Sequence, residues 1–512
     1  MKPIGANQVD ISVKALLSKG TVLASLGGAV YFLGAFVYVA ISRMGYPFAL
    51  EWLEGGSYAQ VHRVLTGLPL YARPSMEYVA MIYPPLYYYA GAVIARAVGF
   101  GFLPLRLISF AASLGALALI FLIVKGRGGN TLAAALGSGL FAATYHLSGT
   151  WYDIARVDML AVFLVLLAIW LLRLRGWWCH VSAGIVFALA CLTKQIHLIS
   201  LACLIVYLGL FERRKLLTFM LPCVAALSVI FLGLDGQYEG WIGFFVLKLA
   251  LGSGEYVTFE PGMFLDSAME FWLNSILLAL PIVALSILVF IIAGLREARD
   301  RAGLYFYLAC AAGMVGTSWA VVQVGGYRND LVPAYAAVAL LFGIALQCLV
   351  SMLPRGSLRG SALLAACALQ FALLWYPIGP QLPSDEDLTA GRSLVAQVRA
   401  QSGDVYVPFH PELALMGGKK PFASWSPMFQ LEGNYGGGDI RATGRVKTEF
   451  ARAMQRRQFT MIILDQESNW IWGDPEKYYT RGERPVFADE DVFWPVTGWQ
   501  TRPEFLLLPP AD

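Results

Sequence analysis

Long apolar stretches separated by short polar clusters fill the chain from Gly20 to about Leu374, and charged positions become frequent only beyond Pro377. The runs Gly20 to Ile41, Leu105 to Val124, Asp158 to Leu174, Lys215 to Leu234, Phe271 to Gly294 and Asp330 to Val350 approach the ~20 residues that an α-helix needs to cross a bilayer. Shorter runs of the same character lie between them. The pattern predicts roughly eleven spanning helices at 20–41, 104–124, 130–146, 158–174, 178–193, 196–211, 215–234, 271–294, 303–322, 330–350 and 360–378. The expected fold class is a polytopic α-helical membrane protein.

The segment Tyr83 to Phe100 sets the parity of this count. It is short, opens with Pro84 and Pro85, carries three consecutive tyrosines and contains Arg96. If it lies along the membrane surface, Lys125, Arg127, Arg173, Arg175, Arg213, Arg214, Lys215, Arg296, Arg299, Arg301, Arg355 and Arg359 share one side, and only Arg156, Lys194, Lys248 and Arg328 share the other. The positive-inside rule puts the first group in the cytoplasm, with the N-terminal tail that carries Lys2, Lys14 and Lys19. A spanning segment would reverse that agreement, so a juxtamembrane helix on the outer face is expected, where tyrosines are at home. The expected setting is multi-pass in a bacterial-type inner (cytoplasmic) membrane, with a cytoplasmic N-terminus and no cleaved signal.

Two long outer loops follow, 42–103 and 235–270, and a C-terminal extracytoplasmic domain, 379–512, after a membrane domain, 1–378. Helical spacing at Asp385 to Gln401 and strand-like runs at Asp404 to Phe409 and Phe459 to Leu464 predict a small α/β unit there. No internal repeat or low-complexity segment is visible.

Composition agrees with this reading. Hydrophobic residues make up 58% and charged residues 14%, against about 25% charged in soluble domains, and the mean hydropathy is +0.60. The seven cysteines lie in or beside apolar runs, as buried thiols rather than a disulfide framework. His62, His146, His180, His197 and His410 are scattered without metal spacing, so no zinc site is expected. The net charge of +4 reflects orientation, and nucleic acid is not an expected partner.

With this topology the outer face collects Glu51, Glu54, Arg73, Tyr83, Asp153, Arg156, Asp158, Lys194, Gln195, Glu239, Tyr327, Arg328 and Asp330 from segments far apart in sequence. Ionisable groups at membrane depth are costly and mark functional sites. Each also has a plainer reading. Glu54, and still more Glu51, could answer only a helix dipole, and Asp158 could simply cap the helix it opens. Asp153 with Arg156 fits a solvated ion pair, Lys194 a snorkelling lysine, and Arg328 with Asp330 a helix-mouth salt bridge beside Gly325 and Gly326.

The arrangement resembles the lipid-linked glycosyltransferases of the GT-C superfamily, the group that includes protein O-mannosyltransferases and aminoarabinose transferase. The likeness rests on Glu54 in the first outer loop, the element Gly67-Leu68-Pro69-Leu70-Tyr71, the motif Tyr83-Pro84-Pro85-Leu86, Arg106 opening the next helix, and Arg156 with Asp158. Such families commonly show Asp-Glu in the first loop. Here a lone Glu54 stands with Glu51 three residues earlier, and Gly55, Gly56 and Tyr58 after Glu54 favour it.

The resemblance implies an inverting transfer of a sugar from a polyprenyl-phosphate donor to an acceptor hydroxyl on a glycan, lipid or protein, in contact with membrane lipids. Glu54 and Asp158 would be catalytic, with Glu54 the general base, a role worth about 10²–10⁴-fold in rate. Glu51, Arg73, Tyr83, Asp153, Arg156, Lys194, Gln195, Tyr327 and Arg328 would bind substrate, with Lys194 and Arg328 facing the leaving phosphate. A divalent cation, magnesium or manganese, is an open alternative for sharing that charge. Glu54, Asp158, Lys194 and Arg328 should then line one outer cavity. The rival reading is a transporter or flippase of a lipid-linked glycan precursor, which should show midplane charges, repeated halves and broken helices. None of these is legible in the sequence. A scaffold presenting the C-terminal domain would not need a carboxylate and cations from four separate loops.

Overall fold

The structure is a computed structural model that describes residues 6–250, 261–296, 301–322, 326–354, 357–432, 439–465 and 472–510. Lys2, Arg299, Gly325, Arg355 and residues 251–260 of the expected second outer loop lie outside the described residues.

Helices dominate, and they follow the apolar runs. In chain order they are α1 (Ala6–Met44), α2 (Glu54–Leu65), α3 (Leu86–Val98), α4 (Leu103–Gly128), α5 (Thr131–Ala143), α6 (Asp158–Arg173) and α7 (Trp177–Cys191). After them come α8 (Leu198–Phe211), α9 (Arg213–Gln237), α10 (Pro261–Ala268), α11 (Pro281–Arg296), α12 (Arg301–Thr317), α13 (Val332–Met352) and α14 (Leu358–Leu373). Local chemistry sets several ends. Asn130 and Ser357 cap α5 and α14 through their side chains, and α4 carries Pro104 in its first turn and stops at Gly129, whose φ of 80° only glycine adopts cheaply.

Among the described residues, five helices are long and apolar enough to cross a membrane: Leu17–Met44, Leu103–Gly128, Arg213–Gln237, Ala302–Val321 and Arg328–Met352. Thr131–Ala143, Trp177–Cys191, Gln195–Phe211 and Leu358–Leu373 are apolar but shorter. The expected span at 271–294 is broken. Leu265–Leu278 and Pro281–Leu295 meet at 79°, because Pro281 has no amide hydrogen to continue the first helix and its ring excludes the preceding turn. The expected surface helix after Tyr83 is 13 residues long and turns Tyr87, Tyr88, Gly91, Ala92 and Ala95 inward.

Small residues bring the helices close, as expected where lipid supplies no hydrophobic drive between them. A Cβ on Gly137 would lie 3.0 Å from the Gly343 Cα, and one on Gly184 would lie 2.2 Å from the Phe219 carbonyl oxygen. Most of α9 faces outward: only 11% of its apolar window is buried, and Leu217, Leu221, Val229 and Leu232 are exposed, which suits a lipid-facing helix. All seven cysteines are free thiols.

The C-terminal region opens with α15 (Asp385–Ala400), entered through a reciprocal capping box between Ser384 and Asp387. Strands β1 (Asp404–Tyr406), β2 (Phe459–Leu464), β3 (Thr480–Arg481) and β4 (Phe505–Leu508) form one mixed sheet in the order β1-β2-β4-β3. The β1–β2 pair is parallel, and β2–β4 and β3–β4 are antiparallel. Helices α16 (Pro411–Met416), α17 (Trp425–Glu432) and α18 (Ile440–Gln455) complete the region. It packs on the helix bundle through backbone bonds such as Ala423 N–H to the Met76 carbonyl at 2.9 Å and Thr497 N–H to the Leu50 carbonyl at 3.3 Å.

Candidate active site

Two buried arginines shape the segment between α1 and α4. Arg43, in the last turn of α1, donates from Nε and Nη2 to the two oxygens of Asp153, both at 2.7 Å, and also to the Tyr145 hydroxyl and the Thr150 carbonyl. Its Nη1 reaches the Gln381 carbonyl at 3.1 Å. Asp153 therefore pairs with Arg43 and not with Arg156, and it pins the loop before α6 to the end of α1. That loop turns through Gly149 and Thr150 with φ of 72° and 56°. A β-branched residue at positive φ is strained, and the Arg43 contact to the Thr150 carbonyl holds it there.

Arg106, in the first turn of α4, grips Glu54 with Nη2 to Oε2 at 2.7 Å and Nε to Oε1 at 3.1 Å. The amides of Leu50 and Ala155 donate to the same carboxylate at 2.6 and 2.5 Å. Glu54 is fully buried and accepts from four donors, two on each oxygen. No lone pair is left to take a substrate proton. Its structural work is to join α2, α4 and the loop before α6.

Glu51 has the opposite character. It too is buried, but its charged partner is a single long contact, Arg156 Nη1 to Oε2 at 3.3 Å, with the Leu53 amide as a backbone donor. Burial raises its pKa from the ordinary glutamate range to about 7, with Arg156 opposing the shift. A carboxyl poised near neutrality can move a proton.

From Glu51 the site continues through direct contacts. Arg156 Nη2 donates to the Tyr83 hydroxyl at 3.2 Å, and its guanidinium lies over the rings of Tyr83 and Trp151. Trp151 Nε1 donates to Asp158 Oδ2 at 3.2 Å. Lys194 Nζ reaches Asp158 Oδ1 at 2.7 Å and Asp330 Oδ1 at 2.8 Å, and Asn329 also donates to Asp158. Burial acts against the Lys194 ammonium, but Asp158 and Asp330 outweigh it and hold its pKa above the ordinary lysine range.

The Tyr-Pro-Pro motif is placed by the tight turn that bears Lys194. Gln195 donates to the Ile82 carbonyl at 2.9 Å, and the Leu86 amide to the Leu192 carbonyl at 3.2 Å. Tyr83 thus sits beside both cations.

The four residues expected in one cavity divide. Asp158 and Lys194 share a cluster with Glu51, Tyr83 and Arg156, whereas Glu54 is locked beneath it. Arg328 does not pair with Asp330. It is 43% exposed and lies 3.6 Å from Glu270. Arg73 is exposed, and Tyr327 packs its ring 5.3 Å from Trp151. Arg43, Trp151 and Asn329 also belong to this network and were not among the site residues expected from the sequence. An arginine ending an apolar run, as in Ile41-Ser42-Arg43, was the available signal. Among the described residues no group of three or more His, Cys, Asp or Glu side chains could hold a metal ion.

No family model matches the sequence, and no curated protein matches it significantly. Solved structures do. ArnT from Cupriavidus metallidurans bound to undecaprenyl phosphate superimposes with a TM-score of 0.56 at 13% identity, covering 94% of this chain and 98% of that one. Its apo state gives 0.57 at 14%, with 94% and 97% covered. The fold is that of the GT-C glycosyltransferases. A further GT-C structure, the archaeal oligosaccharyltransferase AglB from Archaeoglobus fulgidus with an inhibitory peptide and a dolichol-phosphate, aligns at a TM-score of 0.51 and 12% identity over 88% of this chain and 72% of that one.

Proposed function

We propose that this chain is an inverting glycosyltransferase that moves a sugar from a polyprenyl-phosphate donor to an acceptor hydroxyl at the outer face of the membrane. The observation that carries the reading is Glu51: a buried carboxyl with a pKa of about 7, in contact with the buried Arg156, in a chain with the GT-C fold. Glu51, not Glu54, is the general base. Arg156 and Lys194, whose charges both act on Tyr83, bind the phosphate, since the guanidinium has donors to spare and Lys194 keeps a third N–H. Asp158 orients Lys194. The ArnT structure bound to undecaprenyl phosphate supports a lipid phosphate as the ligand.

In the reaction the acceptor O–H gives its proton to Glu51 as its oxygen bonds to the anomeric carbon. The bond from that carbon to the phosphate oxygen breaks, and the electron pair leaves with the lipid phosphate toward Arg156 and Lys194. Fixed cations directed at developing charge stabilise the transition state more than the ground state. The reading places residues 1–378 in the inner membrane with a cytoplasmic N-terminus, and residues 379–512 outside.

One observation favours transport: the 79° break between Leu265–Leu278 and Pro281–Leu295 is of the kind seen in transporters. The buried charges described above nevertheless gather at the end of α1, the starts of α2, α4 and α6, and the turns before α8 and α13. The test is transfer of labelled sugar from a panel of undecaprenyl-phosphate-linked donors in proteoliposomes holding the full chain and candidate acceptors. Labelled product supports transfer. Donor translocation without product from any member of the panel overturns it.

A further inference from the structure

The C-terminal region touches the site at a glycine. Gly498, with φ of 80°, sits so close to Glu51 that an added Cβ would lie 2.6 Å from the Glu51 Cγ and 3.1 Å from its Oε1. Its neighbours are fastened to the bundle: Thr497 N–H donates to the Leu50 carbonyl, its hydroxyl to the Gly149 carbonyl, and Trp499 packs edge-on against Trp52 at 5.3 Å. Residues 497–499 therefore form part of the wall that keeps water from the Glu51 carboxyl.

A buried charged cluster holds this segment from behind. Thr501 donates to Asp465 Oδ2 at 2.9 Å, at the end of β2. His410 Nε2 is 2.8 Å from the same oxygen, and its Nδ1 is 3.3 Å from Glu412 Oε1. Burial disfavours the imidazolium, but the two carboxylates prevail and raise its pKa to about 10, so it is charged at neutral pH. The second oxygen of Glu412 points at α2, where a Cβ on Gly55 would lie 1.8 Å from it, and it has no hydrogen-bond partner among the described residues. Only glycine at position 55 admits this approach, one residue after Glu54 and four after Glu51.

A buried cluster of two carboxylates and one imidazolium is costly and persists only if all its members are held together. It joins β2, the start of α16, the segment bearing Gly498, and the first turn of α2. We propose that the C-terminal region is a working part of the active site, with Gly498 a positioning residue that seats the Glu51 carboxyl and Asp465, His410, Glu412 and Thr501 the clamp that holds Gly498 in place. This rests on Glu51 being the base. The groups facing Glu51 are Arg156 from the loop before α6, Glu54 from α2 and Asp158 from α6. Gly498 and Trp499 add no charge, so this segment acts on Glu51 by exclusion of water and by contact.

The test is the titration of Glu51 in the full chain in lipid, by pH-difference infrared spectroscopy. The protonated-carboxyl band lost in Glu51→Gln identifies the residue. The wild-type midpoint is expected near pH 7. Gly498→Ala either lifts the segment and admits water or pushes Glu51 toward Arg156, and both lower the midpoint, by about one pH unit or more toward the ordinary ~4.3. Thr501→Val does the same by loosening the clamp, and Thr501→Ser restores the wild-type value. An unchanged midpoint in folded Gly498→Ala and Thr501→Val overturns the inference and leaves Glu51 as the base. A wild-type midpoint in the ordinary glutamate range overturns both. If Gly498→Ala does not fold, Thr501→Val decides alone.

Discussion

Arg106 Nη2 lies 2.7 Å from Glu54 Oε2 with both side chains wholly buried. Removing one charge from such a pair strands the other, at a cost of about 3–5 kcal/mol. Glu54→Gln should therefore lower thermal stability sharply, read as the unfolding midpoint in detergent or lipid. A variant that keeps wild-type stability but loses turnover would return Glu54 to the chemistry.

Arg43 and Asp153 make the same kind of contact one loop away, both oxygens of the carboxylate lying 2.7 Å from the guanidinium. Arg43→Met and Asp153→Asn alone should each destabilise strongly, and Arg43→Met with Asp153→Leu should cost less than the sum of the single changes. Strict additivity in thermal unfolding would show that the pair is not coupled.

Arg156 and Lys194 should govern affinity for the lipid phosphate. A hydrogen bond to a charged group contributes about 1.5–3 kcal/mol, roughly a 10- to 150-fold change in Kd. Arg156→Gln and Lys194→Gln should weaken binding of undecaprenyl phosphate in nanodiscs by that order, and Arg328→Gln should leave it nearly unchanged. The reverse ranking would move the phosphate toward Glu270 and Arg328.

As the proposed base, Glu51 should give the reaction its pH dependence. A base must be unprotonated, so turnover should fall about tenfold per pH unit below the Glu51 pKa of about 7. The stability effect has the opposite sense. Because the folded pKa exceeds the unfolded one, the folded chain holds the proton more tightly, and this contribution is full below the unfolded value and lost as pH rises through about 7. Glu51→Gln should remove that decline from the unfolding midpoint measured between pH 5 and 8. A decline of the same size in the variant would assign it to another group.

Hydropathy made the helices legible, and the cost of charges in lipid made the charged cluster legible, so Tyr83, Arg156, Asp158 and Lys194 emerged together from the sequence. Which partner each would take did not. Asp153 was free on paper to pair with Arg156 three residues on, but the loop turns at Gly149 and Thr150 and delivers it to Arg43, 110 residues earlier. Glu54 and Glu51 look alike as letters. They differ because Arg106 and two amides converge on one and Gly498, from the far end of the chain, covers the other. The break at Pro281 was visible as a residue, but its angle depends on the helices packed around it.

Whether Glu51 takes the acceptor proton is read by single-turnover transfer from a labelled undecaprenyl-phosphate sugar by Glu51→Gln in proteoliposomes. The rate should fall by about 10²–10⁴-fold, with binding of undecaprenyl phosphate and thermal stability near wild type; turnover at the wild-type rate in that variant would exclude Glu51 as the base.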